Sequence, residues 1–263
     1  FRANSEFDIN KRIRIGENFQ ATYRRALGIT GGVGGQGVSR DENSILGAFR
    51  MSTIIPVYDE FGGYAGTAAQ GFNNPRNPVA ERDALKDNRA FNANIFGNVY
   101  VEADILENLT FRTSIGGRYD NSYSFNYSRQ GSGYEFAWTF TNTLAYKKTF
   151  DKHAFDFLAG MESLNDGSGR NMSATGQNPF SEDPDFITIS NLPVSSRIVN
   201  SNLYRGVNFY SIFGRLNYTY NDKYLFSAVV RRDGSSRFGE NNRFGVFPAF
   251  SAAWRISSEG FMS

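Results

Sequence analysis

Apolar and polar residues alternate along five stretches of the chain, and this period of two predicts β-strands with one apolar face. The apolar members, in chain order, are Ile13, Ile15, Phe19, Ala21 and Tyr23; Phe111, Ile115 and Tyr119; Trp138, Phe140, Leu144, Tyr146 and Phe150; Tyr210, Ile212, Leu216, Tyr218 and Tyr220; Phe244, Val246, Phe250, Ala252, Trp254 and Ile256. Glu17 interrupts the first row. Each run is about ten residues long, which matches the ~9–11 residues that a tilted strand needs to cross a bilayer.

The intervening positions are polar and carry much of the charge of these strands. Their basic members are Arg14, Arg24, Arg112, Arg118, Lys147 and Arg215. In a membrane-spanning β-barrel, the outward row meets lipid and the inward row meets water. We therefore expect the apolar rows to face lipid and the basic rows to line an aqueous interior.

The connections between strands are predicted to be of two kinds. Short turns are expected at 10–12, 107–109, 151–153, 221–223 and 257–259, whereas the connections at the opposite strand ends, such as 25–93 and 165–207, are long and polar. This division is typical of outer-membrane barrels. Five short turns predict nine or ten strands, and loops of this size indicate part of a wider barrel. Both ends of the sequence look interrupted, so a piece of a longer polypeptide is expected.

Aromatic residues are concentrated beside the short turns, where we expect a girdle at the membrane–water boundary. These residues are Phe111, Phe150, Phe155, Tyr218, Tyr220 and Tyr224.

The amino-acid composition excludes several classes of protein. The 263 residues include 28 Lys+Arg, 26 Asp+Glu, one His and no Cys. The absence of cysteine excludes disulfides, thiolate metal sites and a cysteine nucleophile, and one histidine cannot build a multi-histidine centre. The near-neutral balance argues against a nucleic-acid surface. A mean hydropathy of −0.45 and short apolar runs argue against a transmembrane helix, while 16% aromatic residues argue against disorder.

Short motifs that resemble catalytic or ligand sites are better explained as loop structure. The spacing G-x-G-x-x-G at 32–37 lacks the strand and helix that a dinucleotide site requires, so a flexible loop is expected. Residues 165–169 lack the bidentate Glu of a calcium loop and predict a turn at a strand end. His153 has no catalytic partner at a recognisable spacing. Asn77 and Pro78 predict a helix start, with the carboxylates Glu81, Asp83 and Asp87 near it or facing water.

One block near the end of the chain carries a family resemblance. The residues 231–239 read Arg-Arg-Asp-Gly-Ser-Ser-Arg-Phe-Gly, followed by Phe-Pro at 247–248 and Trp-Arg at 254–255. With weaker matches at 55–59, 108–113 and 142–150, the chain resembles the SusC/RagA family of TonB-dependent outer-membrane transporters typical of Bacteroidota. The resemblance implies a barrel of ~22 strands filled by an N-terminal plug, usually capped by a SusD-like surface lipoprotein and energised through TonB.

The resemblance is to the middle of such a barrel. The plug, the TonB-contacting segment and the C-terminal closing strands have no counterpart in these residues, so we expect residues 1–263 to be part of a single transmembrane β-barrel domain. The fold class is therefore expected to be all-β, an antiparallel barrel of which this chain supplies nine or ten strands.

Two groups of residues are candidates for binding. The loop aromatics Tyr58, Phe61, Tyr64 and Phe72 are compatible with stacking on a sugar, and equally with packing within the loop or against a lid subunit. The motif residues are expected to have a structural role, with arginines pairing to interior carboxylates or to the plug. They are Arg231, Arg232, Asp233, Gly234, Ser235, Ser236, Arg237 and Phe238.

The function implied is import of large nutrients, glycans or peptides, without catalysis and without a cofactor. The expected partners are a SusD-like surface lipoprotein, the TonB complex through parts outside this chain, outer-membrane lipid and the glycan or peptide. No nucleic-acid partner is expected. Two alternatives stay open: a barrel that serves as a structural scaffold in a larger outer-membrane assembly, and a soluble β-sandwich lectin that buries the apolar rows.

Overall fold

The computed structural model describes residues 1–27, 48–49, 51–66, 77–126, 129–181, 183, 186 and 188–262. The glycine motif at 32–37 and the candidate aromatic Phe72 lie outside the described residues.

The described residues form one sheet of ten antiparallel strands, which agrees with the expected nine or ten. The strands are β1 (Arg2–Asn10), β2 (Ile13–Leu27), β3 (Arg89–Leu106), β4 (Leu109–Asn126), β5 (Arg129–Phe150), β6 (His153–Thr175), β7 (Ile198–Tyr204), β8 (Asn208–Tyr220), β9 (Tyr224–Ser235) and β10 (Phe244–Trp254). The sheet order is β1 to β6, then β8, β9 and β10, and β7 pairs with the part of β6 that lies beyond β8. Helix α1 (Pro78–Leu85) precedes β3.

Four of the predicted short turns are confirmed, and they define one end of the sheet, which we call the turn end. They join β1 to β2, β3 to β4, β5 to β6 and β8 to β9. Asp151, Asn221 and Asp222 adopt positive φ angles of 47°, 50° and 55° there, a conformation that Asn and Asp tolerate better than most residues. The fifth prediction is partly wrong, because Ile256–Ser258 is a 3-10 helix and no strand follows it among the described residues to 262.

The connections at the opposite end of the sheet, which we call the loop end, are less uniform in length than the sequence indicated. Residues 28–88 form a long connection, but only residues 127–128 separate β4 from β5, and 236–243 separate β9 from β10. The long loop expected at 165–207 is also partly wrong, because β6 continues to Thr175 and pairs with β7. Backbone pairing holds these two segments together although their Gly-, Asn- and Ser-rich sequence does not alternate.

Residues 165–169 form an irregularity within β6 and not the predicted turn at a strand end. The register against β5 shifts here, Gly167 has a φ of 147°, and Asn165 Oδ1 accepts hydrogen bonds from Gly167 N at 3.1 Å and Ser168 Oγ at 3.0 Å. Asn165 Nδ2 donates to Asn208 Oδ1 at 2.7 Å. A buried asparagine thus supports a β-bulge in a continuous strand.

The register separates the side chains into two faces, because residues directly opposite each other in neighbouring strands share a face. On one side Arg14 lies opposite Glu102, which lies opposite Arg112; we call this the polar face. On the other, Val99 lies opposite Ile115, which lies opposite Phe140; we call this the apolar face. The rows predicted from alternation are confirmed in this respect.

Neither face of the sheet is covered by a packed layer of the described chain. Ile115 is 60% exposed and Leu144 is 37% exposed. Among the described residues, the apolar side chains that are buried are Ile55, Ala65, Leu192 and Val207. Glu17, the interruption in the apolar row, accepts a hydrogen bond from Ser5 Oγ at 2.9 Å on the same face. Among the described helices, none has the length and apolar character needed to span a membrane.

Candidate functional site

The polar face near the turn end carries a connected group of ion pairs. Arg14 contacts Glu102 at 2.6 Å and Asp104 at 3.3 Å, and Arg112 approaches Glu102 at 3.4 Å. Thr110 Oγ1 donates to Asp104 at 2.7 Å. Four charged side chains from β2, β3 and β4 therefore neutralise one another, because alternation places them all on one side of the sheet.

Further basic residues of the polar face are paired in the same way. Arg118 contacts Asp120 at 2.9 Å and also Glu135 in the next strand. Asp156 forms longer ion pairs on two sides, with Lys147 at 3.7 Å and with Arg215 at 4.0 Å. Of the basic residues predicted for this face, Arg24 alone has no ion pair with a described residue. The face is ionic, but most of its charge is compensated locally.

Arg231 links three strands on the polar face. Its guanidinium contacts Asp233 at 2.5 Å, Ser211 Oγ at 2.9 Å and Glu162 at 3.2 Å, and it lies 5.5 Å from the centre of the Phe213 ring. Ser211 is only 3% exposed. These contacts border a recess of about 420 Å³ on β6, β8, β9 and β10, lined also by Phe209, Phe238 and Phe247.

The rest of the Arg231–Phe238 block is divided between the two faces and the turn beyond β9. Arg232 points to the apolar face, with its guanidinium 3.8 Å from the centre of the Phe244 ring. The same ring covers Gly234, where an added Cβ would lie 2.3 Å from it. Ser236 Oγ accepts from Asn208 N at 3.0 Å, and Ser235 Oγ accepts from Arg237 N at 3.3 Å. Phe238 is 60% exposed. The predicted interior pairing is thus seen for Arg231 and not for Arg232, because neighbouring strand residues face opposite sides.

A second recess, of about 530 Å³, lies near the loop end where β2 to β6 meet. Its lining residues on the polar face are Arg24, Ala26, Ala90, Asn92, Ser122, Ser124, Gly131, Gly133, Asn171 and Ser173. The polar side chains among them are short hydroxyls and amides with one guanidinium. Such a surface offers hydrogen-bond donors and acceptors with little net charge, which suits a neutral polar ligand.

The loop aromatics are arranged around a small hairpin between β2 and β3. Tyr58 and Tyr64 pair through an isolated bridge, and their rings stack with centres 5.3 Å apart. Asp59 Oδ1 closes the tip by accepting from Phe61 N at 3.0 Å and Gly63 N at 2.8 Å. Phe61 is 89% exposed at this tip. The structure brings together two of the candidate aromatics and leaves Phe61 open to a partner.

Asn77 joins this hairpin to helix α1. Its Nδ2 donates to Val57 O at 2.8 Å and to Ala65 O at 3.0 Å. Its Oδ1 accepts from Val79 N at 3.1 Å and Ala80 N at 3.2 Å, which confirms the predicted helix cap. One buried side chain therefore satisfies backbone groups on both elements.

A second contact between the hairpin and α1 is made by Tyr64, whose hydroxyl donates to Asp83. This hydrogen bond raises the pKa of Tyr64. Hydrogen bonds from Lys86 and then from Tyr64 lower the pKa of Asp83, and Lys86 Nζ lies 2.9 Å from its Oδ1. The predicted carboxylate of Asp83 is therefore partnered on both sides.

Five of the six aromatic residues predicted for a girdle at the turn end, all but Phe111, form ring contacts on the apolar face. Phe155 lies 5.7 Å from Phe150 and 4.9 Å from Tyr218, and Tyr224 lies 6.4 Å from both Tyr220 and Trp254. His153 is part of this cluster, with Nδ1 2.8 Å from the Tyr218 hydroxyl. No group of His, Asp or Glu among the described residues is arranged to hold a metal ion.

A second aromatic row near the loop end was missed in the sequence. Phe91 lies 6.4 Å from Tyr23 and 6.1 Å from Tyr123, and Tyr119 lies 6.4 Å from Tyr134. All of these rings are on the apolar face. These rings occupy the same alternate strand positions as the apolar rows, which the sequence shows. That they lie side by side depends on the register across four strands.

A sheet whose open apolar face is bounded by two aromatic rows, and whose opposite face is ionic, is the wall of a transmembrane β-barrel. The comparisons with known proteins agree with this class. No family model matches the chain. Two TonB-dependent receptors of Formosa agariphila are 31% and 28% identical over 98% and 100% of the chain, and the TonB-dependent receptor SusC of Bacteroides thetaiotaomicron is 27% identical over 100%.

The solved structure of the RagAB peptide transporter superposes on the whole chain with a TM-score of 0.79 at 20% identity, and it shares the fold. The chain belongs to the SusC/RagA type of TonB-dependent receptor, located in the outer membrane. These relatives are receptors and transporters and not enzymes. The chain spans 24–27% of the length of these curated relatives and 30% of the RagAB chain.

Proposed function

We propose that the chain is a stretch of wall in one wide, plugged barrel domain that imports large polar nutrients across the outer membrane. The observation that carries this proposal is the charge-compensated polar face, in which Arg14, Arg112, Arg118 and Arg231 are each paired with carboxylates of the same wall. A wall of this kind is wetted by water but exerts little net field on a passing solute.

Glycans or peptides are the substrates we propose. The recess near the loop end supports this class, because Asn92, Ser122, Ser124 and Asn171 provide neutral hydrogen-bonding groups. Hydroxyl groups of a sugar and amide groups of a peptide backbone are both met by such side chains. RagAB is a peptide transporter, which is consistent with the second class.

The proposed partners are a SusD-like surface lipoprotein and the TonB complex, the latter acting through parts outside this chain. The β2–β3 hairpin is the segment we assign to the lipoprotein contact. Phe61 is 89% exposed at its tip, while the stacked Tyr58 and Tyr64 hold that tip in place. An exposed aromatic on a rigid support is a common anchor in protein interfaces.

Uptake by cells tests this proposal directly. Cells lacking the full-length gene, and cells complemented with it, are given fluorescent oligosaccharides or oligopeptides, with and without an uncoupler of the proton gradient. We expect complemented cells to accumulate one of the two classes, and the uncoupler to abolish accumulation. Asn92→Leu combined with Ser122→Leu is expected to reduce uptake, whereas Val99→Leu on the apolar face is the matched control.

Failure of both substrate classes to enter would contradict import. If deletion instead causes a lipoprotein or another membrane protein to be lost from the outer membrane, the scaffold alternative is favoured.

A further inference from the structure

Four arginines lie on the apolar face near the loop end, where the lipid-facing surface of a barrel would ordinarily be uncharged. They are Arg25 in β2, Arg89 in β3, Arg170 in β6 and Arg232 in β9. The register places them on this face: Arg25 is opposite Phe91, Arg89 is opposite Phe125, and Arg232 is opposite Val246. Arg170 is opposite Tyr134.

These arginines differ from those of the polar face in having no described ion-pair partner. Arg14, Arg112, Arg118, Arg215 and Arg231 all contact carboxylates. All four arginines of the apolar face are exposed. Among the described strands, Glu17 is the one carboxylate on this face that has a regular cross-strand partner. It lies in β2, close to the turn end. Within the described strands, the loop-end part of this face therefore carries four arginines and no carboxylate at a regularly paired position.

The height of these residues along the strands corresponds to a membrane boundary. On β8, the apolar-face residues Tyr220 and Tyr210 are about ten residues apart, the span that a tilted strand needs to cross the hydrocarbon core. Tyr210 lies opposite Gly234, which lies opposite Phe244, and the Arg232 guanidinium covers the Phe244 ring at 3.8 Å. Arg232 is thus beside the aromatic residues Tyr210 and Phe244 at the loop end of β8 and β10, where we expect lipid headgroups to begin.

Arg25 and Arg89 lie at the loop end of β2 and β3, beside the second aromatic row. Arg25 lies 5.7 Å from the centre of the Phe91 ring, which belongs to that row. Arg89 is opposite Leu27, two positions beyond Arg25, so the two arginines are diagonal neighbours. Diagonal pairs have their Cα atoms roughly 7–8 Å apart, and two guanidinium groups at that spacing can reach one phosphate between them.

We propose that these outward arginines bind phosphate groups of lipid headgroups in the outer leaflet, with Arg25 and Arg89 forming a two-arginine site and Arg232 a second contact. Arginine binds phosphate through two parallel N–H···O bonds, and the apolar residues below offer contact to the acyl chains. A free phosphate ion satisfies only the guanidinium groups, whereas a lipid satisfies both parts of the surface. The inference depends on the membrane placement of the wall and not on which nutrient the barrel carries.

Binding of a phosphorylated lipid by the purified full-length protein tests the proposal. Fluorescent diphosphorylated lipid A is titrated into the protein in a non-ionic detergent, and anisotropy is recorded. Arg25→Gln with Arg89→Gln is compared with Arg24→Gln, the adjacent residue on the polar face. The same titration with enzymatically dephosphorylated lipid A, and competition by inorganic phosphate, separate the headgroup from other sources of binding. Resistance to unfolding in SDS without heating establishes that each variant is folded.

We expect the double variant to weaken binding of the diphosphorylated lipid by at least about tenfold, and Arg24→Gln to leave it unchanged. Arg232→Gln in addition is expected to weaken it further. Equal binding by wild type and double variant overturns the proposal. So does equal binding of the dephosphorylated lipid, or displacement by inorganic phosphate at the same concentration as by unlabelled lipid. None of these results depends on whether the protein imports glycans or peptides.

Discussion

The guanidinium of Arg231 in β9 forms an ion pair with Glu162 in β6, 3.2 Å away across the intervening strand β8. The two residues are 69 positions apart in the chain. Ser211 lies between them in β8 and accepts a hydrogen bond from the same guanidinium at 2.9 Å. The motif arginine therefore ties three strands together on the polar face.

Removing either member of this pair is expected to lower the stability of the full-length barrel. Arg231→Ala, Glu162→Ala and the double variant form a cycle in which we expect a coupling free energy of about 0.5–1 kcal/mol, because both groups are partly exposed to water. Unfolding in urea from lipid vesicles measures it. Arg215 with Asp156, whose atoms are 4.0 Å apart, is the control cycle, with a smaller coupling expected. Strictly additive effects at Arg231 and Glu162 would contradict the pairing.

Gly97 in β3 is expected to tolerate no side chain. A Cβ added there would lie 2.6 Å from the carbonyl oxygen of Asn18, which belongs to the neighbouring backbone and cannot swing away. We expect Gly97→Ala to lower the free energy of unfolding by about 1–3 kcal/mol. At Gly214, the nearest atom to an added Cβ is Leu158 O at 3.9 Å, so Gly214→Ala should be nearly neutral in the same urea experiment. Equal effects at both positions would show that strand pairing differs from that described.

The two roles of Asn77 can be separated by substitution. Asn77→Asp keeps an oxygen that caps α1 but loses the donor to Val57 O and Ala65 O. We therefore expect Asn77→Asp to release the hairpin while the helix persists, and Asn77→Ala to weaken both, with about 1 kcal/mol lost from the helix cap alone. Hydrogen exchange of the amides of residues 57–65 and of α1 measures the two elements independently. Coincident loss of protection in Asn77→Asp would show that the hairpin and helix do not separate in this way.

The carboxyl group of Glu259 is expected to make the stability of the turn end depend on pH. Hydrogen bonds from Lys223 at 2.8 Å and from Trp254 Nε1 at 3.0 Å lower the pKa of its carboxyl group. Because the folded pKa lies below the ordinary value of about 4.3, the stabilisation is present above that value and is lost as the pH falls through the folded pKa.

Fluorescence of Trp254 reports this titration in the full-length protein once the other tryptophans, Trp138 in this chain among them, are replaced by Phe. We expect a change in emission with a midpoint below the ordinary glutamate value, and no such change in Glu259→Gln. A midpoint at or above that value would contradict the hydrogen-bonded arrangement.

Several parts of the site could be read from local pattern. Alternation placed Arg14, Arg112 and Arg118 on one face, because the side-chain period of a strand is a local property. Asn77 before Pro78 indicated the helix start, because capping involves only neighbouring residues. Asp151 and Asn221 indicated tight turns for the same reason.

Other parts required the assembled sheet. The polar motif of β9 gave no sign that Arg231 would meet Glu162, and the Gly- and Ser-rich residues after 165 gave no sign that β6 continues to Thr175 and pairs with β7. Nor could the block at 231–238 show that Arg232 lies at a lipid boundary, since that depends on its height relative to Tyr210 and Phe244 two strands apart.

The sequence alone determined the alternating stretches that form strands, which side of each is apolar and where four of the tight turns fall, because each follows from interactions within a few residues. Only the tertiary structure decided which charges pair, where the bulge in β6 lies and how the aromatic rows and outward arginines align. These depend on the register between strands, which is set by backbone hydrogen bonds between residues far apart in the chain.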